Sequence, residues 1–133
     1  MSLSDNVFLH QFEEMTLPAE EFTHRGHLRL AWLYLNRYGL QVAIEKTTNG
    51  IRAYAASMGA TDKFHHTLTE AIVRIMFSRL QRNRTKNFDT YLLTNQDLVE
   101  NISDVVHSHY SENHLNSTTA KRGFVAPDVK DFC

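Results

Sequence analysis

Cysteine is nearly absent from the sequence, and this absence limits both the covalent structure and the compartment. The single cysteine, Cys133, cannot form a disulfide within the chain, which is typical of a protein in a reducing compartment. The first residues lack the basic start and continuous apolar run of a signal peptide. No segment approaches the roughly 18 to 20 apolar residues of a membrane span. These absences predict a cytoplasmic protein without a membrane partner.

An excess of charge of one sign is also missing. Lysine and arginine together number 14, against 15 aspartates and glutamates. No surplus of positive charge is therefore present to neutralise a run of phosphates. The charge balance predicts that nucleic acid is not a partner.

Glycine and proline are scarce, with five and two residues, so few turns interrupt the chain. Between them apolar residues recur at helical rather than alternating spacing. With 42% hydrophobic residues in 133, the chain has enough apolar surface for one core. We therefore predict an all-α protein, an irregular helical bundle forming a single domain over residues 1–133.

The spacing predicts four main helices and several shorter ones. The apolar stripe of the first helix consists of Val7, Phe8 and Phe12. The apolar stripe of the third helix includes Val42. Thr47 to Gly50 is weak helix-forming sequence that predicts a kink or break. Thr61 or Asp62 is the expected cap of the fourth helix. The first three predicted helices cover residues 5–14, 22–38 and 40–58, and the fourth ends near residue 81. Shorter helices are predicted at 88–93, 96–110 and 117–122, and an extended tail follows Gly123.

Histidines crowd the starts of two of these helices. His24 and His27 are three residues apart and can lie on one helix face, and the apolar stripe of the second helix extends back to His24. The stripe of the fourth helix extends back to His65 in the same way. If the two helix starts lie at the same end of the bundle, His24, His27 and His65 converge in a pocket.

Two kinds of chemistry suit such a pocket. Three imidazoles are typical ligands of a divalent first-row metal such as zinc or iron, and an open position would activate a bound water. Alternatively, a histidine acts as a general acid or base without metal, while Lys63 or Arg25 holds a small anionic ligand. The free backbone donors of the helix starts would favour the same anion. Lys63, Thr67 and Thr69 are the candidate catalytic residues beside the histidines.

The other polar groups have simpler interpretations. His10 and His66 are expected at the surface or in structural contacts, with Glu70 pairing with His66 along the helix. His107 and His109 form a weaker candidate site. Ser111 and Ser117 are either pocket contacts, with Tyr110 and Lys121, or caps of short helices. Phe124 and Val125 are expected to pack the extended tail on the body.

Four segments resemble those of a group of small bacterial helical proteins to which no activity is attached. They are THxxHLRxA at 23–31, KFHxTxT at 63–69, YS at 110–111 with LxS at 115–117, and FVxPD at 124–128. The resemblance implies that these segments belong to one recurring design. It also implies that His24, His27, Lys63, His65, Thr67 and Thr69 act together.

Two hypotheses of function follow. In the first, the protein is a small enzyme or ligand binder, with or without metal, whose site is the histidine cluster. In the second, it is a non-catalytic helical interaction module whose histidines are structural and whose exposed aromatic surface binds a partner. A homodimer is compatible with both.

Overall fold

The computed structural model describes residues 3–133 and confirms the all-α prediction. Within these residues the regular structure consists of α-helices and two 3₁₀ helices, with no β-strand. The α-helices are α1 (Asp5–Glu13), α2 (His24–Tyr38), α3 (Leu40–Ser57), α4 (His66–Arg82), α5 (Phe88–Leu93), α6 (Gln96–Glu100), α7 (Ile102–His107), α8 (Glu112–Leu115) and α9 (Thr118–Arg122). The 3₁₀ helices are Ala19–Glu21 and Thr61–Lys63. None of the helices in this part of the chain combines the length and apolarity needed to cross a bilayer.

Backbone contacts group the described chain into two compact units, one ending at Phe64 and one covering His65–Cys133. In the first unit, α2 packs along α3, and Gly39 joins them with a φ of 85°. This left-handed conformation favours glycine because it lacks a Cβ atom. The core of this unit includes the buried side chains Phe8, Leu28, Leu30, Ala31, Tyr34 and Ala43.

A break in the third helix at Thr47 to Gly50 is not found, because α3 runs as one helix from Leu40 to Ser57. Its glycine has a tertiary reason: a Cβ atom on Gly50 would lie 2.6 Å from the Phe12 ring. Gly50 therefore allows α1 to approach α3 closely. Thr48 is buried and donates its hydroxyl proton to the Ile44 carbonyl at 2.8 Å, so its polar atom is satisfied within the helix.

Two residues predicted for the apolar stripes of helices in the first unit are not buried. Val7 is 42% exposed and Val42 is 39% exposed. In α1 the buried residues are instead Phe8, Leu9 and Phe12. The stripe of α1 is therefore rotated by part of a turn from the predicted one.

In the second unit α4 packs against α7 and α9. The core includes Ala71, Val73, Met76, Tyr91, Leu98, Val106, Tyr110 and Ala120. The predicted cap of α4 is wrong, because Thr61 and Asp62 form a 3₁₀ helix while His65 occupies the N-cap position. The predicted helix 96–110 is wrong as a single element, since the chain breaks at Asn101, with φ −137° and ψ 40°, between α6 and α7.

Candidate functional site

The first turn of α2 fixes the imidazole of His27 in a defined orientation. Thr23 is the N-cap residue, and its carbonyl oxygen lies 2.7 Å from Nδ1 of His27. Because a carbonyl only accepts hydrogen bonds, Nδ1 must carry the proton. In the neutral ring, the lone pair is therefore on Nε2, the nitrogen that a ligand would meet.

Aromatic side chains hold this ring from one side. The His27 ring stacks on Phe22 with centroids 4.0 Å apart and an interplanar angle of 22°. Phe22 in turn contacts Tyr54 edge-on at 4.7 Å and Phe12 at 5.1 Å. Since Phe22 and Tyr54 are buried, and the Tyr54 hydroxyl donates to the Leu17 carbonyl at 2.9 Å, the support is rigid.

Gly26 allows the helix start to sit on the preceding 3₁₀ helix. A Cβ atom at this position would lie 2.5 Å from the backbone oxygen of Glu21. That distance is shorter than any ordinary contact, and a backbone oxygen cannot rotate away as a side chain can. The glycine therefore determines how closely the first turn of α2 approaches Glu21.

The pKa of His27 is lowered from its ordinary value of 6.5. Burial is the largest cause, because it penalises the charged imidazolium. The hydrogen bond to the Thr23 carbonyl acts in the opposite direction, and positive charge on His24 lowers the pKa further. His27 is thus neutral at pH 7, and His24, exposed one turn earlier, is close enough to influence it.

His65 has a different role in the second unit. Its Nδ1 accepts a hydrogen bond from the Leu68 backbone N–H at 3.1 Å, which caps α4. Its Nε2 lies 2.8 Å from the Leu115 carbonyl oxygen and donates to it. Both ring nitrogens are therefore engaged, and any metal at His65 would have to displace one of these two bonds.

The two threonines of the KFHxTxT segment bond to the backbone. Thr67 is fully buried, donates to the Gly123 carbonyl at 2.8 Å and accepts from the Val125 N–H at 3.1 Å. Thr69 donates to the His65 carbonyl at 2.9 Å. Lys63 is exposed at the end of a 3₁₀ helix in the first unit. These hydroxyls hold the fold, and catalysis by Lys63, Thr67 and Thr69 stays a prediction.

Metal binding is not confirmed by the arrangement of ligand-forming side chains. Across residues 3–133, no three or more histidine, cysteine, aspartate or glutamate side chains are grouped in a way that could hold an ion. His24 and His27 lie in the first unit and His65 begins the second. Their convergence on one zinc or iron ion therefore remains a prediction of the sequence.

Comparison with known proteins adds no functional residue. No family model, curated protein or solved structure matches this chain.

Side chains of the second unit hold the extended tail after Gly123. The Tyr110 hydroxyl donates to the Val125 carbonyl at 2.6 Å, and burial raises the pKa of Tyr110 to about 12, which keeps its proton in place. Nε2 of His114 lies 2.8 Å from the Ala126 carbonyl. Ser111 donates to the Asp128 carboxylate from its backbone N–H at 2.8 Å and from its hydroxyl at 2.6 Å.

The predicted serine caps agree with the structure. The side-chain oxygen of Ser111 accepts from the His114 N–H at the start of α8, and that of Ser117 accepts from the Ala120 N–H at the start of α9. Phe124 does not pack the tail into the core, because its side chain is exposed and lies against the Arg74 guanidinium. The backbone of the tail is instead hydrogen-bonded to side chains of the second unit.

His66 and Glu70 form the predicted pair along α4, at 3.1 Å. Glu70, however, is buried and also binds Arg74 at 2.9 Å. This is therefore a partly buried network of three charged or titratable groups rather than a simple surface pair.

His107 and His109, the weaker candidate site, make contacts with different parts of the chain. Nδ1 of His107 lies 3.3 Å from the Tyr110 carbonyl, and Nδ1 of His109 lies 2.9 Å from the Lys130 carbonyl. His107 is exposed whereas His109 is buried. The two rings are thus held by different segments of backbone.

One concave feature of the second unit was not predicted from the sequence. A cleft of about 600 Å³ lies between α4, the segment α6–α7 and the tail. At its wall, Arg79 binds both carboxylate oxygens of Asp97 at 2.5 and 2.7 Å. Residues 79 and 97 belong to different helices and share no short motif, so the sequence held no signal for this pair.

Proposed function

We propose that the protein binds a small anionic molecule at the start of α2 and that His27 exchanges a proton with it as a general acid or base. The observation that carries this proposal is the hydrogen bond from Nδ1 of His27 to the Thr23 carbonyl at 2.7 Å. It fixes one tautomer and leaves the lone pair of Nε2 for a ligand.

The state of the ring at neutral pH supports the same role. Burial lowers the pKa of His27 below 6.5, so at pH 7 the ring is in the basic form that can accept a proton. The Phe22 stack at 4.0 Å prevents the ring from turning away. A base that is held rigidly does not have to be ordered when the substrate binds.

The surroundings favour a negative charge on the ligand. Arg25 and His24 are exposed in the same turn of α2. The Thr23 side chain makes no capping hydrogen bond to the helix, in contrast to Ser4, Ser111 and Ser117 at their helices. The positive end of a 15-residue helix therefore adds to the attraction of an anion by these side chains.

A non-catalytic role is the second candidate, and other histidines support it. His65, His109 and His114 all bind backbone carbonyl oxygens, as structural histidines do. The broad aromatic surface expected for an interaction module has less support, since among the described residues Tyr38 and Phe124 are the large aromatic side chains that are exposed.

The test uses ¹⁵N–¹H NMR spectra with succinate and glycerol 3-phosphate as probes. We expect one of the probes to shift the amide signals of the first turn of α2 in the natural protein. A His27→Gln variant should lose this response, whereas a His10→Gln variant, altered at an exposed histidine of α1, should keep it. An equal response in both variants, or none in the natural protein, would count against the proposal.

The metal hypothesis is separated from acid–base chemistry by elemental analysis of protein purified without a histidine tag. Near-stoichiometric zinc or iron that disappears in a His24→Ala, His65→Ala double variant would establish the metal site predicted from the sequence and would count against metal-free acid–base chemistry. Metal-free protein that takes up neither ion on addition would leave acid–base chemistry as the proposal.

A further inference from the structure

The cleft of the second unit has walls of opposite charge. Arg79 and Arg82 approach it from α4, whereas Asp97 lies in the first turn of α6 and Asp104 belongs to α7. Its volume of about 600 Å³ lies within the range of small-molecule sites. The cleft is thus large enough for a small molecule that reaches from a basic wall to an acidic one.

An ion pair between Arg79 and Asp97 connects the basic wall of the cleft to the acidic one. The guanidinium donates to both oxygens of the carboxylate, and Asn95 accepts a further bond from it at 3.2 Å. These hydrogen bonds lower the pKa of Asp97, with Arg79 as the main cause. This pair is fixed and neutral overall, so it shapes the cleft without offering net charge to a ligand.

Arg82 lies one turn after Arg79 in α4 and, among the described residues, has no carboxylate partner. Arg82 is exposed and donates only to the Ser78 hydroxyl, at 3.3 Å. Asp104 lines the same cleft from α7. In the part of the chain that the structure describes, neither side chain forms an ion pair.

The tail adds one charge of each sign. Lys130 and Asp131 both line the cleft and are exposed. Neither has an ion-pair partner among residues 3–133. The cleft therefore presents two uncommitted cations, Arg82 and Lys130, together with two uncommitted carboxylates, Asp104 and Asp131.

A buried histidine and an aromatic ring also line the cleft. His109 is only 6% exposed and binds the Lys130 carbonyl through Nδ1 at 2.9 Å. Nε2 is consequently the nitrogen that can accept a hydrogen bond from a ligand. The Phe132 ring lies 5.1 Å from the His109 ring, and it offers an apolar surface beside this acceptor.

We infer that this cleft binds a small zwitterion of the amino-acid or short-peptide class. Its carboxylate pairs with Arg82 and Lys130, its ammonium group pairs with Asp104 and Asp131, and its side chain lies against Phe132. A ligand with charge of one sign would pair with only one of these two sets of side chains, whereas a zwitterion offers an opposite charge to each set. This site is separate from the proposed site at His27.

The test uses the dipeptide alanyl-phenylalanine and two blocked forms of it. N-acetylation removes the ammonium charge, and conversion to the C-terminal amide removes the carboxylate charge. We expect the free dipeptide to shift the ¹⁵N–¹H signals of residues 104–109 and 130–132, with a Kd of about 1 mM or below. Each blocked form should bind at least about tenfold more weakly, since it loses one set of charge contacts.

Variants test the same assignment from the side of the protein. Arg82→Gln and Asp104→Asn change exposed side chains, and each should weaken binding of the free dipeptide about tenfold. Arg84→Gln removes an exposed charge that does not line the cleft, and it should leave binding unchanged. Absence of shifts at the cleft, or equal binding of all three peptides, would overturn the inference. Equal binding of the free and acetylated forms would identify an anion site instead and would also overturn it.

Discussion

Replacing Thr67 by valine should destabilise the protein through the loss of two specific hydrogen bonds. Valine has nearly the same shape as threonine, so the packing of this fully buried side chain is kept. The bonds to the Gly123 carbonyl at 2.8 Å and from the Val125 N–H at 3.1 Å are both lost. At about 1 kcal/mol for each bond, the free energy of unfolding should fall by about 2 kcal/mol.

Thr67→Ser provides the matched control for this prediction. Serine keeps the hydroxyl that makes both bonds and removes one buried methyl group. That loss should cost about 1 kcal/mol. Serine should therefore be the milder of the two substitutions, although valine is closer to threonine in shape.

Urea-induced unfolding followed by circular dichroism measures both free energies, and amide hydrogen exchange gives a local measurement. The Val125 amide should exchange faster in the valine variant than in the serine variant, because its acceptor is the Thr67 hydroxyl. The reasoning would be refuted by a valine variant that is as stable as the natural protein and keeps Val125 protected. Thr67 would then be available for the catalytic role that the sequence predicts.

Three further predictions concern a glycine and two titrating groups. Gly26→Ala places a Cβ 2.5 Å from the Glu21 oxygen, so urea unfolding should show a loss of about 1 kcal/mol, although alanine favours helices. The Ser111 hydroxyl and N–H lower the pKa of Asp128 below 3.8. Protection of the Ser111 amide should therefore be complete above pH 3.8 and be lost only as the pH falls through this lowered pKa, and it should be absent in Asp128→Asn. The lowered pKa of His27 means that the folded protein favours its neutral form. Its contribution to the free energy of unfolding should therefore be complete above pH 6.5 and be lost on acidification. An NMR titration of the imidazole should give a midpoint below 6.5.

The sequence predicts the long helices well because their signals are local. Gly39 ends α2 as expected, and the periodic apolar residues identify α2 and α4 as core helices. Gly50 shows where such signals mislead. Its weak helix propensity predicts a kink, yet the contact with Phe12 from α1 explains the glycine within a continuous helix. Asn101 shows the opposite case, a break without a local signal.

The candidate site is harder to predict because the role of a side chain depends on distant backbone. His65 is named correctly as a residue at a helix start, but its second nitrogen binds the carbonyl of Leu115, fifty positions away. No sequence spacing encodes such a partner. Arg79 and Asp97 similarly pair across two helices, so the cleft that they shape becomes visible only in three dimensions.

Residues from the four segments singled out in the sequence have specific structural roles. Thr67 from the second segment, Ser111 from the third and Asp128 from the fourth are all part of the hydrogen bonding that holds the tail. A structural requirement can thus account for these three residues without a catalytic role. His27 in the first segment differs, because only one of its ring nitrogens is bound to backbone. The His27→Gln variant is therefore the substitution that separates a structural role of the first segment from the proposed role in ligand binding.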